Sequence, residues 1–124
     1  MKQEDIELLL KDLCARLPYK VYAQIPDDDE GYISAIESVD IDGFVTDFEG
    51  VQMEVENVKP YLFPLSSMTE EQSKIYHELI RGMFGTSALI NIDEFVNWCN
   101  KNHFDYRGLI PMRLANDATG LNIY

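Results

Sequence analysis

The first apolar pattern of the chain recurs every three to four residues, which is the spacing of an amphipathic helix. Within residues 3–17 this stripe contains Ile6, Leu9, Leu10, Leu13, Cys14 and Leu17. Acidic residues lie near its start, where they stabilise the helix dipole, and Pro18 opposes its continuation. We therefore predict a helix over residues 3–17, with Cys14 as a small buried residue on its apolar side.

From Tyr19 onward apolar and polar positions alternate, and this period of two indicates β-strands. The pattern predicts strands at residues 19–25, 32–41, 44–48 and 51–55, with a loop at residues 26–31. Asp42-Gly43 and Glu49-Gly50 are typical of two-residue hairpin turns, because glycine tolerates the positive φ that such turns require. The segment "NVKPYLFPL" follows, and its two prolines favour an extended or 3₁₀ connector over a central strand.

A two-residue turn at Asp42-Gly43 fixes the register of the hairpin and therefore the face of each side chain. Val39 would then lie opposite Thr46. This register predicts an inner face of Val39, Ile41, Phe44, Phe48, Val51, Met53 and Val55, joined by Ile33 and Ala35. It leaves Ser38, Asp40 and Asp47 on the outer face.

The same stretch, "SVDIDGFVTDFE" from Ser38 to Glu49, resembles the calcium-binding loop of an EF-hand, with Gly43 at its sixth position. That alternative would gather Ser38, Asp40, Asp42, Thr46 and Glu49 around the ion, with a helix on each side. The residues that follow are strand-patterned and lead to Pro60, so they do not favour a helix. We therefore predict a hairpin here and no metal site.

The chain after residue 65 has the pattern of helices. Thr69 and Gln72 form a capping-box signature at the start of the first one. Its apolar face would comprise Ile75, Tyr76, Leu79, Ile80 and Met83, and Gly82 and Gly85 would mark its end. A second helix is predicted to begin at Asn91, with Glu94 as its capping-box partner. Its inward side chains would be Ile92, Phe95, Val96 and Cys99.

These elements predict an α+β fold in which helices cover the apolar face of a sheet. The sheet would be an antiparallel meander of about four strands, and an SH3-like small barrel is the specific architecture that such short, curved strands favour. The whole chain, 1–124, is predicted to be a single domain. Residues 1–18 form its helix, residues 19–65 its antiparallel strands and connector, and residues 66–124 its helical part.

Charge restricts the classes of partner. The 124 residues include 22 acidic and 10 basic side chains, for a net charge of −12. An acidic chain does not bind nucleic acid through a basic face, so we expect no direct nucleic-acid binding. The start "MKQEDIELLLKDL" lacks the pattern of a secretory signal, no stretch is apolar enough for a membrane span, and two cysteines make no disulfide framework. These features predict a cytoplasmic protein that does not enter a membrane.

Candidate chemistry is sparse. Cys99 and His103 lie four residues apart, the spacing of one helix face, which leaves a small Cys–His hydrolase as an alternative. Cys99 also belongs to an apolar stripe, and this favours a core cysteine. A zinc site would need Cys14, His77, Cys99 and His103, whose spacing matches no known ligand pattern. We predict no catalytic residue, no cofactor and no metal.

Three sequence blocks carry a resemblance to a known family. They are "LLLKDLCARLPY" (residues 8–19), "VKPYLFPLSSMTEEQ" (residues 58–72) and "HFDYRGLI" (residues 103–110). They resemble an uncharacterised family of small proteins from gut Bacteroides-type bacteria and their phages or mobile elements. Where that family reads "GLIEKGLALEA", this chain has "GLIPMRLANDA", and Pro111 opposes the terminal helix of the family. The resemblance implies no activity, but it favours an accessory protein of a phage or mobile element.

The sequence thus favours a non-enzymatic protein-interaction module with an unidentified protein partner. Its contacts would come from the outer face of the sheet and from aromatic and arginine side chains, which are common anchors at interfaces. The candidate contact residues are Tyr61, Phe63, Trp98, His103, Phe104, Tyr106 and Arg107. A second alternative is an acidic decoy that mimics DNA and binds a DNA-binding protein. The sequence does not decide the oligomeric state.

Overall fold

A computed structural model of the protein describes residues 1–26, 31–83 and 88–124. In these ranges the helices are α1 (Gln3–Arg16), α2 (Glu70–Gly82) and α3 (Ala88–Lys101). The strands are β1 (Tyr22–Ile25), β2 (Tyr32–Val39), β3 (Phe44–Asp47), β4 (Gln52–Glu54), β5 (Lys59–Leu62) and β6 (Asn116–Asp117). The predicted α+β class is confirmed. Residues 27–30 of the loop predicted at 26–31, and the helix end predicted at Gly85, lie outside the described residues.

The six strands in the described ranges form one sheet in the order β4-β3-β2-β1-β5-β6. Neighbouring strands are antiparallel, except that β5 and β6 are parallel. Because β4 and β6 lie at its two edges, this sheet is open, and the SH3-like barrel is not confirmed. The predicted meander corresponds to β1–β4, while β5 and β6 come from segments in which the pattern predicts no strand.

The proline-containing segment differs from its prediction as a connector, because it supplies β5 inside the sheet. Pro60 lies opposite Ala23 of β1, and Tyr61 lies beside Asn116 of β6. A proline removes one hydrogen bond from a strand ladder. The sheet accommodates this loss because β5 pairs with β1 over only two residues and its pairing with β6 begins one residue after Pro60.

Both hairpins of the meander turn over three residues rather than the predicted two, which shifts the register by one residue. Val39 lies opposite Val45 instead of Thr46, and Val45 lies opposite Met53. Side chains of a strand alternate between the two faces of the sheet, so a shift of one residue exchanges the faces. The predicted register is therefore wrong, and so are the faces that it assigns to β3 and to the first half of β2. Val39, Met53 and Val55 do pack in or against the core as predicted.

An aspartate before each turn explains the three-residue loop. In the first hairpin, Asp40 Oδ1 accepts the backbone N–H groups of Asp42 at 2.9 Å and Phe44 at 3.0 Å. Gly43 closes the loop with a φ of 86°, which a glycine adopts without a Cβ clash. The second hairpin repeats this arrangement seven residues later with Asp47 as the acceptor.

The change of register moves several large apolar side chains out of their predicted positions. Val45 and Asp47 are buried on the core face, although Asp47 is predicted to lie outside. Of the predicted inner residues, Ile33, Ile41, Phe44, Phe48 and Val51 are exposed, Ala35, Val39 and Met53 are half-buried, and Val55 is buried. Ile33 and Phe48 therefore present apolar side chains on the face of the sheet away from the core.

Helix α1 ends one residue before the predicted boundary, and its predicted apolar stripe is correct except at Cys14. Its buried residues are Leu9, Asp12, Leu13 and Arg16, whereas Cys14 is exposed. The prediction of a buried Cys14 is wrong because apolar spacing alone assigns every charged side chain to solvent. Asp12 and Arg16 neutralise each other one turn apart, and this pairing permits their burial.

The capping box predicted for the first C-terminal helix is confirmed. Thr69 Oγ1 accepts the N–H of Gln72 at 3.1 Å, and Gln72 Oε1 accepts the N–H of Thr69 at 2.9 Å. Helix α3 begins at Ala88, three residues before the predicted start, so Asn91 lies inside the helix and is not its cap.

The inward face predicted for α3 is correct in part. Cys99 is fully buried, and Phe95 and Val96 are half-buried, but Ile92 is exposed. After Lys101 the chain forms turns and the short strand β6, so the predicted helical part of 66–124 ends earlier than expected.

The core lies between α1, the inner face of the sheet and the segment that follows α3. Its buried apolar residues include Leu9, Leu13, Val21, Ala23, Ile25, Ile36, Val45, Leu62, Leu109 and Leu114. None of the helices in the described ranges combines the length and the apolar character that a membrane span requires.

Candidate functional site

The predicted contact residues cluster where α3 ends. Phe104 donates its N–H to the carbonyl of Cys99 at 2.9 Å, and His103 donates its N–H to that of Asn100 at 3.2 Å. These bonds form a Schellman motif, in which the residue at the position of His103 is usually glycine. His103 adopts a φ of 63°, a left-handed conformation that costs a non-glycine residue about 1–3 kcal/mol. Its side-chain contacts must offset that cost.

The chain then runs beside the end of β5. Phe63 donates its N–H to the carbonyl of His103 at 2.8 Å, and Asp105 donates its N–H to the carbonyl of Phe63 at 2.9 Å. The buried carboxylate of Asp105 accepts the N–H groups of Leu109 at 2.8 Å and Ile110 at 2.9 Å. These bonds fix the segment after α3 against the sheet.

A buried guanidinium connects α1 to this segment. Arg16 is fully buried and donates to Asp12 through Nε at 2.8 Å and through Nη2 at 3.2 Å. Its Nη2 also donates to the carbonyl of Phe104 at 2.7 Å. The contact with Phe104 joins residues 88 positions apart in the chain. Arg16 therefore fixes the position of α1 relative to the segment after α3.

A second arginine completes this buried cluster. Arg107 Nε donates to Asp12 Oδ1 at 3.2 Å, and Arg107 Nη2 donates to the hydroxyl of Tyr106 at 3.0 Å. The guanidinium carbons of Arg16 and Arg107 lie 5.4 Å and 4.9 Å from the centre of the Tyr106 ring. We call Asp12, Arg16, Tyr106 and Arg107 the Arg16 cluster. Its geometry is that of a structural ion-pair network, because every charged group in it binds another member.

The aromatic members of the predicted contact surface pack on one another. The rings of Phe63 and Phe104 are 6.4 Å apart, and Phe104 stacks on Trp98 at 5.4 Å. Phe104 is only 2% exposed, so its ring belongs to the core and cannot serve as a contact residue. The other six residues, Tyr61, Phe63, Trp98, His103, Tyr106 and Arg107, are half-buried.

Tyr124, which no sequence pattern singles out, contacts several of these residues. Its hydroxyl donates to the carbonyl of Tyr61 at 2.7 Å and accepts the N–H of Tyr22 at 3.0 Å. Its ring stacks on His103 with 3.6 Å between the ring centres. Burial raises the pKa of Tyr124 to about 12, so this hydroxyl keeps its proton at neutral pH. Tyr124 thereby joins β1 and β5 to the end of α3.

The properties of Cys99 and His103 do not suit nucleophilic catalysis. Burial raises the pKa of the Cys99 thiol to about 11, although the positive charge of Arg16 opposes the shift. The thiolate is the reactive form of cysteine, and almost none is present at neutral pH. Burial, together with Arg16, lowers the pKa of His103 to about 4. Cys99 therefore has the character of a structural cysteine.

The arrangement of metal-ligating side chains bears on the EF-hand alternative. No group of three or more His, Cys, Asp or Glu side chains in these ranges is arranged to hold an ion. At the EF-hand-like stretch, strands β2 and β3 flank the loop, and the Asp40 carboxylate binds backbone N–H groups. The hairpin interpretation of this stretch is therefore correct, although its register is not.

Acid should destabilise the protein through His103. The His103 imidazole is protonated only near pH 4 in the folded state, whereas in the unfolded chain it is protonated near pH 6.5. The contribution of His103 to stability is therefore complete above pH 6.5 and is lost as the pH falls towards 4. A shift of one pKa unit corresponds to about 1.36 kcal/mol of stability for a buried group. Because the His103 ring is partly exposed and solvent screens it, we expect a smaller loss than the whole pKa shift would give, about 1–2 kcal/mol. Urea unfolding at pH 7, 5.5 and 4.5 measures this loss.

The control variant for this prediction is His103→Asn, since asparagine tolerates the left-handed conformation but does not titrate. The difference in unfolding free energy between wild type and His103→Asn should shrink as the pH falls, which separates His103 from the carboxylates. An unchanged difference across this pH range would show that His103 does not cause the acid sensitivity.

Exposed apolar side chains form a different surface on the face of the sheet away from the core. A hollow of about 270 Å³ is lined there by the apolar residues Tyr22, Ile33, Ala35 and Phe48 and by the polar residues Lys20, Ser34 and Glu49. We call these four apolar residues the outer-face patch. Phe48 is 75% exposed and Ile33 is 43% exposed. The patch was missed because the two-residue turn assigned Phe48, Ile33 and Ala35 to the inner face.

The fold and these sites define an α+β protein with an open sheet, a buried ion-pair network and an exposed apolar patch. Comparisons of the chain with protein-family models, with curated proteins and with solved structures give no match.

Proposed function

We propose that the protein is a non-enzymatic protein-interaction module and that the outer-face patch is its contact surface. The observation that carries this proposal is the exposure of Phe48 and Ile33 around one hollow. Single exposed apolar residues are common on soluble proteins, but a group of them around a hollow is typical of a binding surface. A phenylalanine ring that enters a pocket of a partner is a frequent anchor of such interfaces.

The chemistry of the partner follows from charge. The chain has a net charge of −12, so a partner with a basic rim around an apolar contact would associate faster and bind more specifically than an acidic one. We propose an apolar-centred, basic protein surface as the occupant of the patch. The resemblance of three sequence blocks supports the proposal that the protein has an accessory role for a phage or mobile element. We also propose that the protein is cytoplasmic.

The alternative of a small Cys–His hydrolase receives no support from the buried, protonated thiol of Cys99. No specific observation favours the acidic decoy, and three of the acids that it would use, Asp12, Asp47 and Asp105, are buried in internal hydrogen bonds.

Phe48→Asp should abolish partner binding without unfolding the protein, because Phe48 is exposed and contributes little to the core. The measurement is affinity capture from the native host followed by binding assays with the purified partner. Leu121→Asp is the matched control, since Leu121 is also exposed but lies outside the patch. Binding that survives Phe48→Asp, or that fails equally in both variants, would contradict the proposal, as would the capture of no partner above a bead control.

A further inference from the structure

A second concave surface lies between α1 and the tip of the first hairpin. This groove has a volume of about 310 Å³. Its apolar lining includes Ile6, Leu10 and Phe44, and its acidic lining includes Asp42, Glu54 and Glu56. The groove is separate from the outer-face patch, because the two share no lining residue. At this volume it is near the lower limit of ligand pockets, which favours one or two side chains over a large molecule.

The apolar part of the groove is incompletely covered by the fold. Ile6 and Leu10 pack against the core from one side and remain half-exposed on the other. Phe44 is 38% exposed, and Ile41 at the hairpin tip is fully exposed. These side chains offer an apolar contact to a segment that enters the groove.

The acidic part of the groove is lined by two exposed glutamates, Glu54 and Glu56. Glu56 raises the pKa of Glu54 through a side-chain hydrogen bond and through charge repulsion. Within the described part of the chain neither residue forms an ion pair, since both ion pairs found there involve Asp12. A positive charge placed between the two carboxylates would relieve their repulsion.

We propose that this groove binds a peptide segment of a partner protein in which a Lys or Arg adjoins a bulky apolar side chain. The apolar side chain would pack on Ile6, Leu10 and Phe44, and the cation would lie at Glu54 and Glu56. The inference rests on the proposed function as an interaction module, but it assigns a different surface and a defined recognition chemistry. Charge complementarity of this kind provides specificity for the cation-bearing segment.

The test is an NMR titration of the isotope-labelled protein with the capped peptide Ac-Gly-Leu-Lys-Leu-Gly-NH₂. We expect amide shifts centred on Leu10, Gly43 and Glu54. Replacing the lysine of the peptide with glutamate should abolish these shifts, and replacing both leucines with serine should weaken them. Glu54→Gln and Glu56→Gln should each weaken binding about two- to fivefold, the range for partly exposed ion pairs.

Glu71→Gln is the matched control, because it removes the same charge from an exposed position on α2, away from the groove. Equal weakening by Glu71→Gln would show general attraction to an acidic surface and overturn the proposal. No shift with millimolar peptide, or shifts at Phe48 and Ile33 only, would also overturn it. If Phe48→Asp abolishes partner capture but the peptide does not bind, the proposed function as an interaction module is supported. The proposal that the groove binds a peptide is then wrong.

Discussion

Replacing Asp12 with alanine should lower the free energy of unfolding by about 3–5 kcal/mol. Asp12 and Arg16 are both fully buried, and the carboxylate accepts two hydrogen bonds from Arg16. Without it, a guanidinium remains buried with no negative partner, which costs more than the ion pair itself contributes. Urea unfolding followed by circular dichroism, at pH 7 and fixed ionic strength, measures the change.

Arg107→Met provides the comparison, because Arg107 binds the same carboxylate from a partly exposed position, with 17% of its side chain exposed. A surface ion pair contributes about 0–1 kcal/mol, so we expect a loss near 1 kcal/mol. If Asp12→Ala costs no more than Arg107→Met, then water reaches the Arg16 guanidinium, and the assignment of a buried ion-pair network is wrong.

Replacing Asp47 with alanine should cost about 2–4 kcal/mol. Its carboxylate is fully buried and accepts the N–H groups of Glu49 at 3.0 Å and Val51 at 2.8 Å. It also accepts the hydroxyl of Tyr32 at 2.6 Å. Each such bond contributes about 0.5–1.5 kcal/mol, and donors left unpaired in a buried site add to the loss. Urea unfolding of Asp47→Ala measures the total.

Asp40 provides an internal control for the loss of stability expected in Asp47→Ala. Asp40 makes the same pair of backbone hydrogen bonds in the preceding hairpin, but it is exposed, so water replaces the lost carboxylate. We expect Asp40→Ala to cost about 1 kcal/mol or less. Similar losses for the two variants would mean that the turn, rather than burial, determines the contribution of Asp47.

The two hairpins show how far local sequence determines a fold. The strands on either side of Gly43 and Gly50 follow from alternation and from glycine in a turn. The register does not follow, because Asp40 and Asp47 can lie either in a strand or before a three-residue loop. The repeat of Asp-x-x-Gly at a spacing of seven residues is the signal that distinguishes the two possibilities. With it, the outer position of Phe48 could have been predicted.

The candidate site depends on contacts that no local pattern encodes. The partners of Arg16 and Tyr124 lie on other elements, and Tyr124 reaches Tyr22 across 102 positions of the chain. Several of the predicted contact residues do lie close together, but their rings pack on one another instead of facing a partner. As a result, Phe104 is a core residue. The surfaces that remain open, the outer-face patch and the groove, are set by register and helix rotation rather than by composition.

By itself, the sequence determined the local features: the capping box at Thr69, the helix that ends near Pro18, the hairpins at their glycines and the α+β class. These features depend on interactions within a few residues, which any fold must satisfy. Only the tertiary structure decided that Asp12 and Arg16 are buried, that Pro60 lies in an inner strand, and that Phe48 faces solvent. Each of these outcomes depends on neighbours that a distant segment of the chain supplies. A buried charge is tolerated only where such a segment brings a partner for it, and a ring is exposed only where no segment covers it.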